Sequence, residues 1–338
     1  MLAGHGNDIY RYENEIIVDF SSNIAKINIR EKLLAFLQKK LKTISNYPDP
    51  EMMQLKRAVA KFHNISTDEV IITNGSTEAF YLVAHTYVKR KTFIKIPSFA
   101  EYEDACARYD HSLFFETKID SETIKGFDMV WLGNPNNPDG KVEALENISD
   151  WSKRYPNTTF VIDEAYADLS NVHKTAIPLV AKKQNVIIIR SLTKSFSIPG
   201  LRIGYIVCKK DIADKIRNYT IPWNINSLAV DAGVFIMNNY TSLVPDANEL
   251  AETCAIFKAE LEKNNNLKVH HSDCNFLLVQ LNRGNASDLK LYLVKHHGLL
   301  IRDASNFRGL GPQYFRVAVR SNQQNQLLAN AILDWMTH

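Results

Sequence analysis

Short apolar runs alternate with amphipathic stretches through most of the chain from about Tyr47 onward. Several runs are continuously apolar, which is typical of strands buried on both faces. The stretches between them, such as residues 78–88 and 101–109, have the periodicity of helices. This alternation predicts an α/β fold in which a mostly parallel, seven-stranded sheet lies between helices. The predicted strands are residues 70–73, 93–96, 112–115, 129–132, 159–162, 186–189 and 203–208.

The pattern changes after a long apolar stretch at residues 221–239, where Pro245 interrupts it. A helix at 246–263, strands at 276–281, 299–301 and 315–319, and a helix from Asn322 then follow in mixed order, which favours an α+β unit. A chain of 338 residues has room for a large and a smaller domain. We expect an N-terminal arm over 1–45 that joins the small domain or covers the functional site, a large domain over 46–245 and a small domain over 246–338.

The composition of the chain mainly excludes other classes of protein. Apolar residues make up 45% and charged residues 23% of the chain, as in soluble globular proteins. The net charge of +3 comes without a basic stripe, so we expect no nucleic-acid partner. The four cysteines lack a C-x-x-C pair, which argues against a metal site and suits a reducing compartment. We see no membrane-length apolar run and no signal peptide, and we expect a cytoplasmic protein without a membrane partner.

Polar residues follow four of the predicted strands, at the sheet edge where ligands of open α/β sheets gather. After the strand at 70–73, Gly75, Ser76 and Thr77 open a helix. Free N–H groups and the positive end of a helix there would hold a phosphate. A plain helix cap with a glycine turn explains the same residues.

Two further strands are followed by an amide and a carboxylate. Asn137 lies in a turn rich in Asn, Pro and Gly, and its amide could donate to a phenolate oxygen of a ligand. Asp163 follows a buried strand, where a carboxylate needs a partner. A protonated pyridine nitrogen is one such partner, and an arginine or a helix N-terminus is another.

The fourth strand leads to Lys194 in the segment Arg-Ser-Leu-Thr-Lys-Ser-Phe. A lysine desolvated at this place has a lowered pKa and becomes a competent nucleophile towards an aldehyde. Ser191, Thr193 and Arg202 would add donors for a phosphate. A surface lysine is the alternative, and the surrounding hydroxyl residues weaken it. None of these motifs identifies the site alone. Four of them after four separate strands, in this order, are poorly explained by coincidence.

On these motifs the chain resembles the fold-type I pyridoxal 5′-phosphate (PLP) enzymes, the aspartate aminotransferase superfamily, from about Tyr47 to Arg320. Within it the chain is similar to histidinol-phosphate aminotransferase and to L-threonine-O-3-phosphate decarboxylase of cobalamin synthesis. The resemblance implies that Lys194 holds PLP as a Schiff base and later moves a proton, and that Asp163 pairs with the pyridine nitrogen. The other cofactor-binding residues it implies are Tyr166 and Asn137 on the phenolate oxygen, Phe99 stacked on the ring, and Gly75, Ser76, Thr77, Ser191, Thr193 and Arg202 on the phosphate.

The resemblance also implies substrate contacts and an assembly. Arg316, in Tyr-Phe-Arg-Val-Ala-Val-Arg, matches the arginine that grips the substrate α-carboxylate, and an arginine fork suits a carboxylate. Arg302 resembles the arginine that meets a distal anion, and we expect Asn23 to bind substrate as well. For Arg302 and Arg320 an ion pair within the small domain is the alternative. Tyr47 looks like the tyrosine that reaches the neighbouring subunit's phosphate, which implies a homodimer.

The first interpretation is an aminotransferase of the histidinol-phosphate type that acts on a small anionic, phosphorylated amino substrate. The alternative is the threonine-phosphate decarboxylase, whose arm the segments at 4–8 and 19–23 resemble. Ile24-Ala25-Lys26-Ile27 replaces the Pro- and Gly-containing turn of the relatives, and His5 is either a site residue or part of a mobile terminus. A non-catalytic PLP-fold module and a Rossmann dehydrogenase are weaker interpretations, because the lysine is present and no G-x-G-x-x-G follows the first strand.

Overall fold

The computed structural model describes residues 6–25, 30–182 and 185–337. In chain order its strands are β1 (Val18–Asp19), β2 (Val70–Thr73), β3 (Lys91–Lys95), β4 (Ser112–Glu116), β5 (Met129–Gly133), β6 (Thr159–Asp163), β7 (Val186–Ser191), β8 (Gly204–Val207), β9 (Leu267–Val269), β10 (Phe276–Leu281), β11 (Leu299–Leu300), β12 (Arg302–Asp303) and β13 (Tyr314–Ala318). Its α-helices are α1 (Arg30–Lys40), α2 (Met53–His63), α3 (Gly75–Thr86), α4 (Glu101–Arg108), α5 (Ser121–Ile124), α6 (Leu145–Arg154), α7 (Ile177–Lys182), α8 (Leu192–Ser195), α9 (Lys210–Arg217), α10 (Ser227–Asn238), α11 (Tyr240–Leu243), α12 (Ala247–Glu262), α13 (Ala286–His297) and α14 (Asn322–Thr337).

The central sheet has seven strands in the order β2-β8-β7-β6-β5-β3-β4. Strand β8 runs antiparallel to its neighbours β2 and β7, and the other pairs are parallel. The prediction of a mostly parallel seven-stranded sheet is therefore confirmed. Strands β5, β6 and β7 extend beyond their predicted ends, so Asp163 and Ser191 are the last residues of strands rather than the first residues of loops.

Helices cover both faces of the central sheet, because alternate strand residues point to opposite sides. Ile72 and Leu132 face a core built with α2, α6, α7 and α10, whereas Ile71 and Trp131 face a core built with α3, α4 and α9. Both sides of each inner strand are thus buried in apolar side chains. This explains why the strands read as continuous apolar runs in the sequence.

A second, antiparallel sheet in the order β12-β13-β10-β9 lies in the C-terminal part of the chain. Helices α12, α13 and α14 contribute Phe257, Leu289 and Leu328 to its core. The sequence reading missed α13, although Asn285 caps its start by accepting from the Asp288 N–H at 2.8 Å, and Gly298 with φ +63° ends it. The additional small sheet is confirmed, and the domain boundaries remain predictions.

The N-terminal arm joins this second unit through β1, which pairs in parallel with β11. Phe20, the residue after β1, is fully buried in the same core as α12. Helix α1 packs instead against α10 of the large unit. Within the described residues, none of the helices is both long and apolar enough to cross a membrane.

Candidate active site

A cavity of about 260 Å³ lies beyond the carboxyl ends of β5, β6 and β7. Gly75 lies behind its wall rather than in its lining, and Tyr47 lies outside the cavity with 84% of its surface exposed. The structure therefore brings together nearly all of the predicted site residues. Those that line the cavity are Asn23, Ser76, Thr77, Phe99, Asn137, Asp163, Tyr166, Ser191, Thr193, Lys194, Arg202, Arg302 and Arg316.

Lys194 stands on α8, the single helical turn that follows β7. Ser191 caps this turn, since its Oγ accepts from the Thr193 N–H at 3.2 Å. Burial lowers the pKa of Lys194 to about 8, and the nearby Arg316 and Arg202 add to the shift. A substantial share of the amine is therefore neutral near physiological pH, which is the form that attacks an aldehyde.

Asp163 is held from two sides at the end of β6. The Tyr102 hydroxyl donates to Oδ2 at 2.6 Å, and the Ala165 N–H donates to Oδ1 at 2.9 Å. Burial raises the pKa of Asp163 to about 6, and both hydrogen bonds act in the opposite direction. A buried carboxylate of this kind is best stabilised by a cation at its open side.

Tyr102 was missed in the sequence reading. It lies on α4, is 1% exposed, and packs edge-on against Phe80 with ring centroids 5.0 Å apart. Phe99 precedes it by less than one helical turn and lines the cavity. Its position three residues after Phe99 suggested that it lies near the site. Its hydrogen bond to Asp163 could not be predicted, because the two residues are 61 positions apart in the sequence.

The start of α3 and Arg202 form a cradle in which a side chain at position 75 would displace the Arg202 guanidinium. A Cβ on Gly75 would lie 2.5 Å from Nη2 of Arg202, and Gly75 has φ +72°, which favours glycine. Ser76 and Thr77 follow in the first turn of this 12-residue helix. The hydroxyls of Ser191 and Thr193 form a short hydrogen bond with each other on the cavity wall.

Arg316 is a buried guanidinium from β13 that spans the two sheets. Nη1 donates to Oδ1 of Asn137 through a short hydrogen bond, and Nη2 donates to the Ser21 carbonyl at 2.8 Å. Its Nε is buried and has no partner among the described residues. Burial lowers the pKa of Arg316. Because Asn137 uses its carbonyl oxygen here, its amide N–H₂ remains for the cavity.

Arg302 and Asn23 line another side of the cavity. Nη2 of Arg302 donates to Oδ1 of Asn306 at 2.8 Å. Burial lowers the pKa of Arg302 to about 10, with a further contribution from Arg316. The side chain of Asn23 is 1% exposed and lies close to the Tyr166 hydroxyl, although neither of its polar atoms is within ordinary hydrogen-bond geometry of a partner among the described residues. These groups suit an anionic, polar ligand.

Tyr166 and Phe99 supply the aromatic walls. Tyr166 packs edge-on against Phe276 at 5.1 Å between ring centroids, and burial raises the pKa of its hydroxyl to about 12. The hydroxyl is therefore a neutral donor throughout the physiological range. Phe99 offers a ring face without a hydroxyl and packs edge-on against Tyr102 at 6.0 Å.

A buried polar network beneath the cavity was also not foreseen from the sequence. Arg190 donates to Glu164 at 3.1 Å and to Asp168 at 2.7 Å. The Ser195 hydroxyl donates to the other oxygen of Asp168 at 2.8 Å. Glu164 follows Asp163 at the end of β6, and Ser195 follows Lys194 on α8, so the network connects the end of β6 with α8.

Arg320 binds backbone carbonyls and not a carboxylate within the described part of the chain. Arg320 makes no carboxylate pair among the described residues, and its guanidinium donates to the backbone carbonyls of Asp19, Ser22 and Ile24. It therefore fastens the arm instead of forming the ion pair considered from the sequence. His5 and the segment Lys26–Ile27 lie outside the described residues.

These features together define a PLP-dependent enzyme of fold type I. Residues 15–332 match the family model for aminotransferase class I and II, and the chain belongs to that family.

Threonine-phosphate decarboxylase of Salmonella typhimurium is 31% identical over 95% of this chain and 92% of its own length. The structure of L-threonine-O-3-phosphate decarboxylase from Porphyromonas gingivalis is similar with a TM-score of 0.92 and 33% identity, covering 95% of this chain and 100% of that one. Histidinol-phosphate aminotransferase from Clostridium acetobutylicum gives a TM-score of 0.86 and 28% identity over 95% and 99%. The expected relationship to both groups is confirmed, and the decarboxylases are the more similar of these relatives.

PLP is the cofactor of this class of enzyme, and the cavity fits it on chemical grounds. Ser76, Thr77 and Arg202 line the cavity next to Gly75 and offer hydroxyl and guanidinium donors for a phosphate. The raised pKa of Asp163 reflects a buried carboxylate that a cationic ring nitrogen would stabilise. The lowered pKa of Lys194 matches the requirement for a neutral amine.

Proposed function

We propose that this chain is a PLP-dependent decarboxylase of a phosphorylated α-amino acid of the O-phospho-threonine type. The observation that carries this proposal is the pair of buried arginines, Arg316 and Arg302, on the wall of the cavity that contains Lys194. Two separate cations suit a substrate with two separate anions. O-phospho-threonine offers a carboxylate and a phosphate at the two ends of a short chain.

The residues at the floor of the cavity would hold the cofactor. We infer that Asp163 pairs with the ring nitrogen, that Asn137 and Tyr166 donate to the phenolate oxygen, and that Phe99 covers one ring face. The phosphate would be bound by the cradle. Its members are Gly75, Ser76, Thr77, Ser191, Thr193 and Arg202.

Arg316 is the best candidate for the substrate carboxylate. Its Nε is buried without a partner among the described residues, so a ligand oxygen there would satisfy it. Its Nη atoms are already held by Asn137 and Ser21, which fixes the plane of the guanidinium before a ligand enters. A preorganised cation of this kind orients a carboxylate at low entropic cost.

Arg302 and Asn23 would bind the distal phosphate. Neither polar atom of the Asn23 side chain is within ordinary hydrogen-bond geometry of a partner among the described residues, and Arg302 presents a guanidinium held by Asn306. Charge-assisted hydrogen bonds from arginine to phosphate are among the stronger ones in proteins. Recognition at both ends of the substrate would then determine its orientation above the cofactor ring.

The bound cofactor supplies an electron sink for the bond that breaks at the substrate Cα. Asp163 favours this role by holding a positive charge at the ring nitrogen. Arg316 and Arg302 would fix the orientation of the substrate and would thereby determine which bond at Cα is broken. Lys194 holds a proton at Nζ and can deliver it to Cα after the loss of CO₂.

The test is a comparison of two substrates with the purified holoenzyme. O-phospho-threonine and histidinol phosphate are added separately, and CO₂ release and the visible spectrum of the cofactor are followed together. We expect O-phospho-threonine to release CO₂ while the cofactor stays in its aldehyde form. Conversion of the cofactor to pyridoxamine phosphate without CO₂ would contradict the proposal. Lys194→Ala is the control that must abolish both signals.

A histidinol-phosphate aminotransferase is the second candidate, because that relative has the same fold over nearly its full length. Histidinol phosphate carries a phosphate but no carboxylate, so it would leave Arg316 unpaired in that half-reaction. A keto acid with two carboxylates would occupy both arginines in the other half-reaction. Stoichiometric pyridoxamine phosphate from histidinol phosphate would favour this candidate.

We further propose a cytoplasmic homodimer in which Tyr47 reaches the neighbouring subunit. Tyr47 and Trp223 form an exposed aromatic pair, with ring centroids 5.3 Å apart. Subunit mixing tests the assembly: alone, Tyr47→Ala chains are expected to be weakly active and Lys194→Ala chains inactive. Mixed dimers would regain activity, because one of their two sites combines an intact Lys194 with an intact Tyr47.

A further inference from the structure

The N-terminal arm is attached to the C-terminal unit by an ion pair that is buried on both sides. The carboxylate of Asp8 accepts from Nζ of Lys290 at 2.7 and 3.0 Å, and the two residues are 7% and 8% exposed. Lys290 belongs to α13, and 282 positions of sequence separate the partners. The ammonium also lies 5.6 Å from the ring centroid of Tyr12.

The arm residues just before Asp8 reach the cavity. Gly6 and Asn7 both line it. Asn7 donates its backbone N–H to Oγ of Ser21 at 2.7 Å. A Cβ on Gly6 would collide with the Ser21 carbonyl oxygen, so the arm lies directly against this peptide group.

Ser21 connects the arm to the arginine at the centre of the site. Its carbonyl accepts from Nη2 of Arg316 at 2.8 Å, and its hydroxyl donates to Asp19 at 2.6 Å. Residues 6–7, Ser21 and Arg316 thus form a continuous chain of contacts. Displacement of residues 6–7 would remove the support on one side of the Ser21 carbonyl.

We propose that Asp8 and Lys290 are positioning residues that fasten the arm across the cavity and thereby orient Arg316. This inference rests on the proposed function only in giving Arg316 the substrate carboxylate. A buried pair suits this task, because loss of one partner leaves an uncompensated charge and strongly favours release. Release need not unfold the protein, since the long side chain of Lys290 can carry its ammonium to solvent when the arm leaves.

The arm carries its own reporter for release. Arg11 is exposed and ends the short 3₁₀ helix that follows Asp8, so trypsin can cleave there when the arm is open. Cleavage of this kind reports the population of the open form. It requires no substrate and no turnover.

The experiment uses the holoenzyme with Asp8→Asn and Lys290→Met. We expect both to be cleaved after Arg11 at least about tenfold faster than the wild type, because the open form gains population. We also expect KM for O-phospho-threonine to rise by about tenfold with kcat nearly unchanged, the signature of lost binding contacts. The visible absorbance of the cofactor should be unchanged, because neither Asp8 nor Lys290 lines the cavity.

Two further variants separate positioning from general damage. Lys290→Arg keeps the charge and should retain slow cleavage and a low KM. Lys263→Met removes an exposed ion pair with Glu260 on α12 and should leave both quantities unchanged. If Lys290→Met fails to fold, Asp8→Ala serves instead, because it leaves Lys290 free to reach solvent.

Equal cleavage rates in Asp8→Asn and the wild type would overturn the proposal, and so would faster cleavage with an unchanged KM. If the wild type acts on neither phosphorylated compound, the proposed function fails separately. The tryptic cleavage rate then decides the fastening on its own, and equal rates would still refute it.

Discussion

The Tyr102 hydroxyl donates a hydrogen bond of 2.6 Å to Oδ2 of Asp163, and both residues are buried. This bond favours the ionised carboxylate and opposes the effect of burial, which raises the pKa of Asp163. Tyr102 therefore determines how readily Asp163 keeps the negative charge that a cationic ring requires.

Replacement of Tyr102 by Phe is expected to raise the pKa of Asp163 further and to slow turnover. A hydrogen bond to a charged group contributes about 1.5–3 kcal/mol, so kcat should fall by roughly 10- to 100-fold. Steady-state kinetics and the pH titration of the cofactor's absorbance measure the two effects. Tyr81→Phe is the control, since Tyr81 also donates to a carboxylate, that of Glu101 at 3.1 Å, but lies outside the cavity. Equal losses in the two variants would contradict the role of Tyr102.

The lowered pKa of Lys194 predicts a pH dependence for cofactor capture. Burial and two arginines lower this pKa from 10.5 to about 8, and only the neutral amine reacts with an aldehyde. Protein freed of PLP should therefore recapture it with a rate constant that rises through about pH 8 and then levels off. Stopped-flow absorbance measures this profile. A plateau reached only above pH 10 would show an ordinary lysine instead, and Lys194→Arg should give no covalent signal at any pH.

Gly75→Ala is expected to weaken cofactor binding without unfolding the protein. The added Cβ would collide with Arg202 at 2.5 Å, and φ +72° is strained for alanine by about 1–2 kcal/mol. We expect Kd for PLP to rise by about tenfold or more. Gly200→Ala is the matched control, because a Cβ at that position would meet no atom within 4 Å beyond its neighbours in the chain. Equilibrium titration of PLP distinguishes the two variants, and similar affinities would refute the cradle.

Arg302→Gln tests which anion Arg302 meets. Loss of a charge-assisted hydrogen bond to phosphate should lower kcat/KM for O-phospho-threonine by roughly 10- to 100-fold, and should affect unphosphorylated threonine far less. Arg316→Lys should impair both compounds, because both carry the α-carboxylate that a single ammonium cannot bind as a planar fork. Kinetics of each variant with each compound provide the comparison. Parallel losses in both variants would show that the two arginines do not have separate ligands.

The sequence was most informative where local pattern and chemistry coincide. Lys194, Asp163 and Asn137 could be predicted to lie together because each follows a continuous apolar run, and the ends of parallel strands meet at one edge of a sheet. The same reasoning predicted that Gly75 and Arg202 contribute to one phosphate site. These predictions needed only the order of strands and the type of residue that follows each one.

The remaining features depend on partners that are distant in the sequence. Asp8 meets Lys290 across 282 positions, and Tyr102 meets Asp163 across 61. The antiparallel direction of β8 likewise could not be read from its apolar residues, which look the same in either direction. Helix α13 carries local signals at both ends, the Asn285 cap and Gly298, so its position was predictable from the sequence.

The cavity has a floor from the central sheet and a roof from the arm and the C-terminal sheet. Lys194 and Asp163 belong to the floor, whereas Asn23, Arg302 and Arg316 belong to the roof. Mutagenesis or segment exchange confined to the roof could therefore change which substrate is bound, while Lys194 and Asp163 stay in place.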